Sequence, residues 1–309
     1  MQAQRAEAVL LELREARWQF ASSAQSNELS VRAVGARVAL IGAWDVLFRG
    51  LAGEARLSGG SASIYGQPPE VALRQGLVGV QRFTLRAPAD ITPEQYLFES
   101  ASLLGRGSSY ARREAARAVD EYGLSSVKRY PFSALPVLEA RLLALAQATL
   151  GEPRALFCEL PLHRFGEAAQ RIMLSALERA ATGRSLLFSV AQRVYSGPQA
   201  ELLSRADQRF ALERGQLSEP SASPAPPNGE AWLITVSEHP DRFTTRLVTD
   251  KIGFEELGPV EAMETLLQGG RSTPVRRFRV WLEGAPARER LLHAARDTEA
   301  AILELRPET

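Results

Sequence analysis

The sequence predicts a mainly parallel α/β sheet covered by helices on both faces, followed by a second, smaller α/β domain. Three observations predict this fold class. Strands and helices alternate along the first two thirds of the chain, which is the pattern of a parallel sheet. A hydrophobic strand at Val38–Ile41 runs through Gly42 straight into a helical apolar pattern. A stretch rich in Ser and Pro, LSEPSASPAPPNGE at Leu217–Glu230, separates the two parts as a linker.

Composition excludes several classes of protein. With 309 residues, 45% hydrophobic and 24% charged, the chain is globular and long enough for two domains. Its 37 basic and 36 acidic residues leave a net charge of +1, which gives no electrostatic reason to expect a nucleic acid partner. The single cysteine, Cys158, excludes an internal disulfide and a cysteine-based metal cluster. The three histidines, His163, His239 and His293, lack the spacing of metal ligands. Charged residues interrupt the apolar N-terminal stretch, so neither a signal peptide nor a membrane span is expected.

Each element is predicted from a local pattern. Short apolar runs predict strands, and apolar residues that recur three and four positions apart predict helices. Strands are expected at about Val9–Leu13, Glu28–Val34, Arg37–Ile41, Ser61–Tyr65, Leu77–Val80, Arg154–Leu160, Ser185–Ala191 and Gln208–Glu213, with helices after Gly42, within Pro93–Gly123, at Val137–Leu150 and at Ala168–Ala181. The tail is expected to hold strands at Trp232–Val236, Arg277–Leu282 and Ala301–Leu305 and helices at Val260–Gln268 and Ala287–Ala295.

The turn after the strand Val38–Ile41 lies where a phosphate-binding loop would be expected. In such a loop a glycine five residues after the first is followed by Lys and Ser or Thr. Free backbone amides and an ammonium then surround the phosphates, while the hydroxyl holds Mg²⁺. Counting from Gly42, these positions hold Leu47, Phe48 and Arg49. The sequence therefore predicts the strand, turn and helix of a phosphate loop without its chemistry.

Beyond this loop, further segments resemble the ATP-binding subunit of an ABC transporter, of an exporter-like type with a C-terminal accessory domain. GLVGVQ and ITPEQYLF look like its Q-loop region, RALFCELPL like the Walker B strand, SLLFSVAQ like the switch strand and ADQRFALERGQL like the closing hairpin. The resemblance covers about seven tenths of the chain. It implies a P-loop NTPase-like core over residues 1–217, with a helical subdomain at about 93–150. A linker over 218–230 and an accessory α/β domain over 231–309 would follow.

Within the loop, the departures from the family remove phosphate contacts. Gly42–Gly53 looks about four residues shorter than the family's loop, which places Trp44 or Phe48 at the position of the lysine. Charge-assisted hydrogen bonds are worth roughly 1.5–3 kcal/mol each, so losing the lysine and two or three loop amides would remove about 4–8 kcal/mol. That corresponds to about three to six orders of magnitude in affinity. We also expect the bulky side chain of Trp44, and potentially that of Phe48, to fill the space of the β and γ phosphates.

The other nucleotide motifs depart from the family as well. Leu160 falls on the position of the general base, and Ala191 on that of the switch histidine. LPVLE, at Leu135–Glu139, aligns with the signature LSGGQ, whose serine and glycine amides complete the site of a partner subunit. Pro136 has no N–H to donate there. Because both halves of the composite site are lost, no intact site is expected in a homodimer or a heterodimer, and no catalytic residue is assigned.

A few candidate nucleotide-contacting positions remain. Phe20 lies where the family stacks the adenine, although packing at a strand edge accounts for it more simply. Gln81 corresponds to the Q-loop glutamine or is an ordinary surface residue. Glu159 is either a relic of the Mg²⁺-linked acidic position or a satisfied carboxylate, and the second is favoured. The degenerate positions are Phe20, Gly42, Trp44, Asp45, Gln81 and Glu159. No metal ligand is expected, and neither is a bound cofactor, although the resemblance implies ATP and Mg²⁺.

Three functions are compatible with this pattern. The first is a non-hydrolysing subunit that docks on a multi-span membrane permease or on a second ABC ATPase subunit, as a dimer at the cytoplasmic face of the membrane and without inserting into it. Its helical region, roughly Pro93–Tyr130, would engage the permease, with Gln81 at the hinge. The second is an ATP-binding and hydrolysing transporter subunit with an unusual loop. The third is a soluble scaffold no longer tied to transport.

Overall fold

The computed structural model describes residues 9–20, 26, 28–191, 197–213, 216–218, 229–250, 252–259 and 275–307. The chain divides into two compact units. The first comprises Met1–Leu162, Ile172–Gln192 and Glu201–Ala222, and the second comprises His163–Arg171, Arg193–Ala200 and Ser223–Thr309. Most of the predicted linker over 218–230 lies outside the described residues, as does the helix predicted at Val260–Gln268.

A six-stranded sheet forms the centre of the first unit. Its strands are β3 (Arg37–Gly42), β5 (Val78–Gln81), β6 (Ala155–Cys158), β7 (Ser185–Val190), β8 (Gln208–Glu213) and β9 (Gln216–Ser218). They lie in the order β5-β6-β7-β3-β8-β9, and every neighbouring pair is parallel except β8 and β9. All four residues of β6 are buried, as expected for a strand that is covered on both faces. The predicted parallel α/β sheet is therefore confirmed.

A second, antiparallel sheet belongs to the same unit. It contains β1 (Leu11–Phe20), β2 (Leu29–Ala33) and β4 (Ala55–Ile64) in the order β2-β1-β4. Strand β1 extends well beyond the predicted Val9–Leu13. Its register shifts after Leu13, and Glu15 adopts a φ of +51°. This irregularity breaks the alternation of buried and exposed residues on which the sequence prediction depended.

Helices cover the central sheet and form the helical region. They are α1 (Asp45–Leu51), α2 (Pro69–Arg74), α3 (Pro93–Ser102), α4 (Ser108–Glu121), α5 (Val137–Thr149), α6 (Glu167–Ala180) and α7 (Gly197–Ser204), with a 3₁₀ turn at Phe132–Ala134. The start of α3 is fixed by a capping box, in which Thr92 accepts from the amide of Gln95 and the Gln95 side chain accepts from the amide of Thr92. Residues around most of α5 are buried, which places this helix between α3, α4 and the sheet.

The described residues of the second unit form a four-stranded antiparallel sheet with two helices. Its elements are β10 (Glu230–Val236), α8 (Pro240–Thr249), β11 (Gly253–Pro259), β12 (Arg276–Leu282), α9 (Gly284–Asp297) and β13 (Ile302–Pro307). The strands lie in the order β11-β12-β10-β13, so the βαββαβ succession has the topology of a ferredoxin-like fold. Phe243 and Leu247 of α8 and Leu291 of α9 pack on Phe278 and Val280 of the sheet. The sequence prediction missed α8 and β11.

Among the described residues, none of the helices has both the length and the hydrophobicity that a membrane crossing requires.

Candidate functional site

The turn between β3 and α1 is filled by its own residues. Gly42 has a φ of +103°, and a Cβ there would collide with the carbonyl oxygen of Leu212 on β8. The backbone N–H of Trp44 donates to the carbonyl of Gly42 over 3.0 Å. The Trp44 side chain is 1% exposed, and its indole N–H donates to the carbonyl of Ile41 over 3.1 Å. An indole therefore packs into the core at the turn where a phosphate loop would keep bare backbone.

Helix α1 has few groups that could bind an anion. Leu47 and Phe48 are fully buried core residues, so the side chains at and beside the expected lysine position are apolar. Asp45 adds a negative charge to the first turn, where the helix dipole would otherwise favour a phosphate. The basic residue of the helix, Arg49, lies in its last turn. The proposed filling of the phosphate space by Trp44 stays a prediction, and the burial of these side chains supports it.

Phe20, at the end of β1, is already in contact with a cation of the same unit. The guanidinium of Arg49 lies over the Phe20 ring, 4.1 Å from its centroid, and its Nε donates to Glu54 over 3.3 Å. Phe20 itself is only 9% exposed. One face of the ring predicted to stack on adenine is thus occupied by a cation–π contact.

Arg82 joins two carboxylates at the carboxyl ends of the central strands. Its Nε donates to Glu159 over 2.7 Å, and its Nη1 donates to Glu54 over 3.0 Å. The same oxygen of Glu159 also accepts the backbone N–H of Phe83 over 2.9 Å. The Glu159 side chain is 8% exposed and that of Arg82 is 21% exposed. The acidic residue at the Mg²⁺-linked position therefore has an internal cation as its partner, in agreement with a satisfied carboxylate.

Glu54 connects the Phe20 and Glu159 contacts into one network. It lies just after α1 and accepts from Arg49 and Arg82, while Arg86 approaches it to 3.9 Å. Burial raises the pKa of the Glu54 carboxyl, but the charge and hydrogen bond of Arg82, followed by Arg86 and Arg49, outweigh this effect and lower it. These arginines therefore favour the carboxylate form of Glu54.

Gln81, the last residue of β5, has one unused polar atom. It is completely buried, and its Nε2 donates to the carbonyl of Arg82 over 2.8 Å. Its backbone carbonyl accepts the N–H of Glu159, also over 2.8 Å. Its Oε1, however, has no hydrogen-bond partner among the described residues. An orphaned buried acceptor costs about 1–3 kcal/mol, and this one lies beside the Arg82 network.

The positions of the base, switch and signature carry no groups for catalysis. Leu160 has a φ of +46°, donates its N–H to the Ser189 hydroxyl over 2.9 Å and provides an aliphatic side chain where a carboxylate is expected. Ala191 follows β7 as an exposed residue. In the signature segment, Pro136 precedes α5 and makes no side-chain cap. The Arg141 guanidinium of α5 lies 3.7 Å from the centroid of the Phe83 ring, which links this helix to the segment after Gln81.

Mg·ATP does not fit this set of side chains. The place of the phosphate-binding lysine is apolar, Asp45 would repel the phosphates and Arg82 neutralises Glu159. Within the described part of the chain, no three His, Cys, Asp or Glu side chains are grouped as metal ligands. The Oε1 of Gln81 is the atom that could receive a water molecule or an ion, and a single amide oxygen is too little to hold Mg²⁺.

The structure brings together some of the predicted residues and adds others. Gln81 and Glu159 are joined across β5 and β6, and Gly42 and Trp44 share one turn. The sequence prediction missed Arg82, Glu54 and Arg49, which connect these positions. The one signal for Arg82 was a charged residue directly after a buried strand, and such residues are common on surfaces.

A separate groove of about 750 Å³ opens in the first unit between α3, the end of α5 and the loop after α2. Its apolar wall includes Leu73, Ile91, Tyr96 and Leu104. Leu103 lies at its margin with 88% of its surface exposed, the most exposed large hydrophobic residue among those described. A large apolar side chain so fully exposed next to a concave surface is typical of a protein interface.

Three solved structures similar to this chain are ABC transporters or parts of them. CbiO1 from Clostridium perfringens, part of the ABC transporter complex CbiONQ, is 14% identical with a TM-score of 0.55, covering 70% of this chain and 89% of its own. A metal-chelate type ABC transporter in an inward-facing conformation is 14% identical with a TM-score of 0.57, covering 89% and 98%. The ATP-binding subunit of another ABC transporter is 19% identical with a TM-score of 0.54, covering 68% and 90%.

No protein-family model matches the sequence, and no curated protein matches it significantly. The likeness to the three solved structures shows that the chain has a P-loop NTPase-type α/β fold. Within that class it has the fold of the ATP-binding subunits of ABC transporters, as the sequence predicted. At these identities the likeness concerns the fold, and the chemistry has to be argued from the side chains.

Proposed function

We propose that the protein is an ABC-type ATPase-like subunit that works without hydrolysing nucleotide. It would act as a structural or regulatory component at the cytoplasmic face of a membrane, held there by a permease or by a second ATPase subunit. The observation that carries this proposal is the pairing of Arg82 with both Glu159 and Glu54. An internal guanidinium neutralises the carboxylate that would otherwise hold Mg²⁺, and it needs no bound ligand to do so.

The ion pairs of Arg82 support a role as a fixed adaptor. In an ATP-driven subunit, nucleotide and Mg²⁺ connect the loop after β3 with the segments after β5 and β6. Here Arg49, Glu54 and Arg82 connect the end of α1 with Glu159, and Arg141 stacks on Phe83. The central sheet and the helical region are therefore linked by permanent side-chain contacts. We expect the protein to keep one conformation with or without ATP.

Binding of Mg·ATP tests the nucleotide part of this proposal. Isothermal titration of the full chain with Mg·ATP up to about 1 mM should give no saturable heat, because the expected loss of affinity is about three to six orders of magnitude. Leu160→Glu, which returns a carboxylate to the base position, should still show no ATPase activity, because the lysine and the signature remain absent. Micromolar binding to the unaltered chain, or hydrolysis by this variant, would contradict the proposal.

The groove beside α3 is the surface that we propose for the membrane partner. Its volume and apolar wall suit a short amphipathic helix, with Leu103 as the exposed anchor and Arg74, Glu99 and Arg106 as charged neighbours. A tagged full-length chain purified from solubilised native membranes should retain a multi-span protein, identified by mass spectrometry. Leu103→Glu should abolish this retention.

Val248→Glu is the matched control, since it changes a 55% exposed aliphatic residue of the second unit. Retention of the same membrane protein by both variants would exclude the groove. If the unaltered chain is recovered without any multi-span protein, the docking role is rejected and the soluble scaffold becomes the favoured function.

A further inference from the structure

A cavity of about 580 Å³ lies in the first unit between the antiparallel sheet and helices α1 and α2. It is separate from the Arg82 network and adjoins the groove beside α3, with which it shares Leu73. Most of its inner wall is aliphatic and is provided by Leu11, Leu13, Leu47, Leu51, Ala62 and Leu73. Its volume falls within the range of pockets that bind small molecules, about 300–1,000 Å³.

The cavity wall includes the indole of Trp18, whose N–H has no hydrogen-bond partner among the described residues. Trp18 is 4% exposed, and its indole N–H makes no hydrogen bond to any described residue, whereas those of Trp44 and Trp232 donate to oxygens. The indole packs closely on Gly50, where an added Cβ would lie 2.4 Å from Trp18 Nε1, and both residues line the cavity. Because Trp18 lines the cavity and its N–H makes no hydrogen bond to a described residue, this donor can serve an acceptor placed there. A ligand that covered this donor without an acceptor would leave it unpaired at a cost, so the site favours a molecule that provides an oxygen.

The entrance provides both signs of charge. Arg56 and Glu70 are exposed at the margin together with Leu57, which is 42% exposed. Arg56 and Glu70 would offset each other for a charged ligand, and the inner wall provides a neutral donor among aliphatic side chains. The inner surface therefore favours an uncharged molecule over an anion or a cation.

We propose that this cavity binds a small, uncharged aliphatic molecule whose carbonyl or hydroxyl oxygen accepts a hydrogen bond from the indole N–H of Trp18. The apolar chain would lie along the inner faces of β1 and β4. The site does not involve nucleotide, so its test is independent of the test of the proposed function.

The probe for this site is 2-octanone, which has an aliphatic chain and one carbonyl acceptor. Titration of the full chain should show saturable one-site binding with a Kd on the order of 100 µM, as expected for a ligand of about nine heavy atoms. The emission of the tryptophans should change on binding. Trp18→Phe keeps an aromatic wall but removes the N–H, so it should weaken binding about fivefold and abolish most of the emission change.

Two substitutions on the same strand separate the cavity from the outer surface of the sheet. Ala62 pairs with Leu13 and lines the cavity, while Ser63 pairs with Glu12 on the opposite face. Ala62→Leu should reduce affinity at least tenfold by filling the space, and Ser63→Leu should leave it unchanged. If Ala62→Leu does not fold, as judged by its thermal transition, the affinity and emission change of Trp18→Phe decide the question.

Three results with 2-octanone would overturn the proposal. They are no saturable binding of 2-octanone up to about 5 mM, an equal loss of binding in both strand variants, and unaltered affinity in Trp18→Phe. Octanoate is the test of ligand class and should bind at least tenfold more weakly than the ketone. Tighter binding of octanoate would show an anion site at Arg56 in place of the proposed one.

Discussion

Replacing Arg82 with alanine would remove the cation shared by Glu159 and Glu54. Removing one partner of a buried ion pair costs about 3–5 kcal/mol, because the other charge remains buried without compensation. The Arg82 side chain is 21% exposed and that of Glu54 is 25% exposed, while Glu159 is 8% exposed. Allowing for this partial exposure, we expect Arg82→Ala to lower the free energy of unfolding by about 2–4 kcal/mol.

Urea unfolding at pH 7, followed by circular dichroism, measures this loss. With a slope of about 2–3 kcal/mol per molar urea, the midpoint should fall by about 1 M. Arg86→Ala is the matched control, because Arg86 approaches the same carboxylate of Glu54 at 3.9 Å but is 81% exposed. Its effect should stay below about 0.5 kcal/mol.

A double variant tests the physical reason for the loss. If the cost comes from a stranded carboxylate at Glu159, then Arg82→Ala combined with Glu159→Gln should be more stable than Arg82→Ala alone, by about 1–2 kcal/mol. The reasoning is refuted if Arg82→Ala and Arg86→Ala unfold at the same urea concentration. An additive double variant would show that Arg82 stabilises the unit through its packing and not through its charge.

Other variants and reagents test single features of the first unit. Gly42→Ala should lower the free energy of unfolding in urea by about 2–4 kcal/mol, since the φ of +103° and the adjacent carbonyl both exclude a Cβ. Gly53→Ala, with open space around the added Cβ, should cost about 1 kcal/mol. Equal effects of the two substitutions would contradict this reasoning. Burial raises the pKa of the Cys158 thiol, so iodoacetamide at pH 8 should label it only in urea, and labelling of the native protein at the rate of a free thiol would be unexpected. The hydrogen bond from Arg37 lowers the pKa of Glu178, against the opposing effect of burial. A lowered folded pKa contributes stability above the unfolded value, about 4.3, and loses it as the pH falls through the folded pKa. Glu178→Gln should thus cost about 1–2 kcal/mol at pH 7 and less below pH 4, and a cost that does not change with pH would refute the ionic origin.

Local patterns predicted most of the elements that position the candidate site. The buried runs at β3, β6 and β7 and the periodic apolar residues of α5 are visible in the sequence, because each strand or helix has its own period. Prediction failed where that period is interrupted. The irregularity at Glu15 hid most of β1. In the tail, α8 and β11 were also not recognised, although the buried residues Pro240, Phe243 and Leu247 of α8 recur with a helical period.

The candidate site was predicted in its positions but not in its contacts. The absence of lysine, base and signature was predicted from Trp44 or Phe48, Leu160 and Pro136, because residue identity alone decides whether a side chain can donate or accept a proton. The burial of Gln81 with an unpaired Oε1 depends on how β5, β6 and the following segment meet. No local pattern contains that information.

By itself, the sequence determined the class of fold and predicted that the groups that bind and hydrolyse nucleotide are missing. The tertiary structure decided which contacts the residues at these positions make. Arg82 is separated from Glu54 by 28 positions and from Glu159 by 77, and Arg49 covers Phe20 from a different element. Such ion pairs and cation–π contacts depend on the distance between side chains in space. Long-range packing brings these groups together, and the period of a helix or strand cannot reveal it.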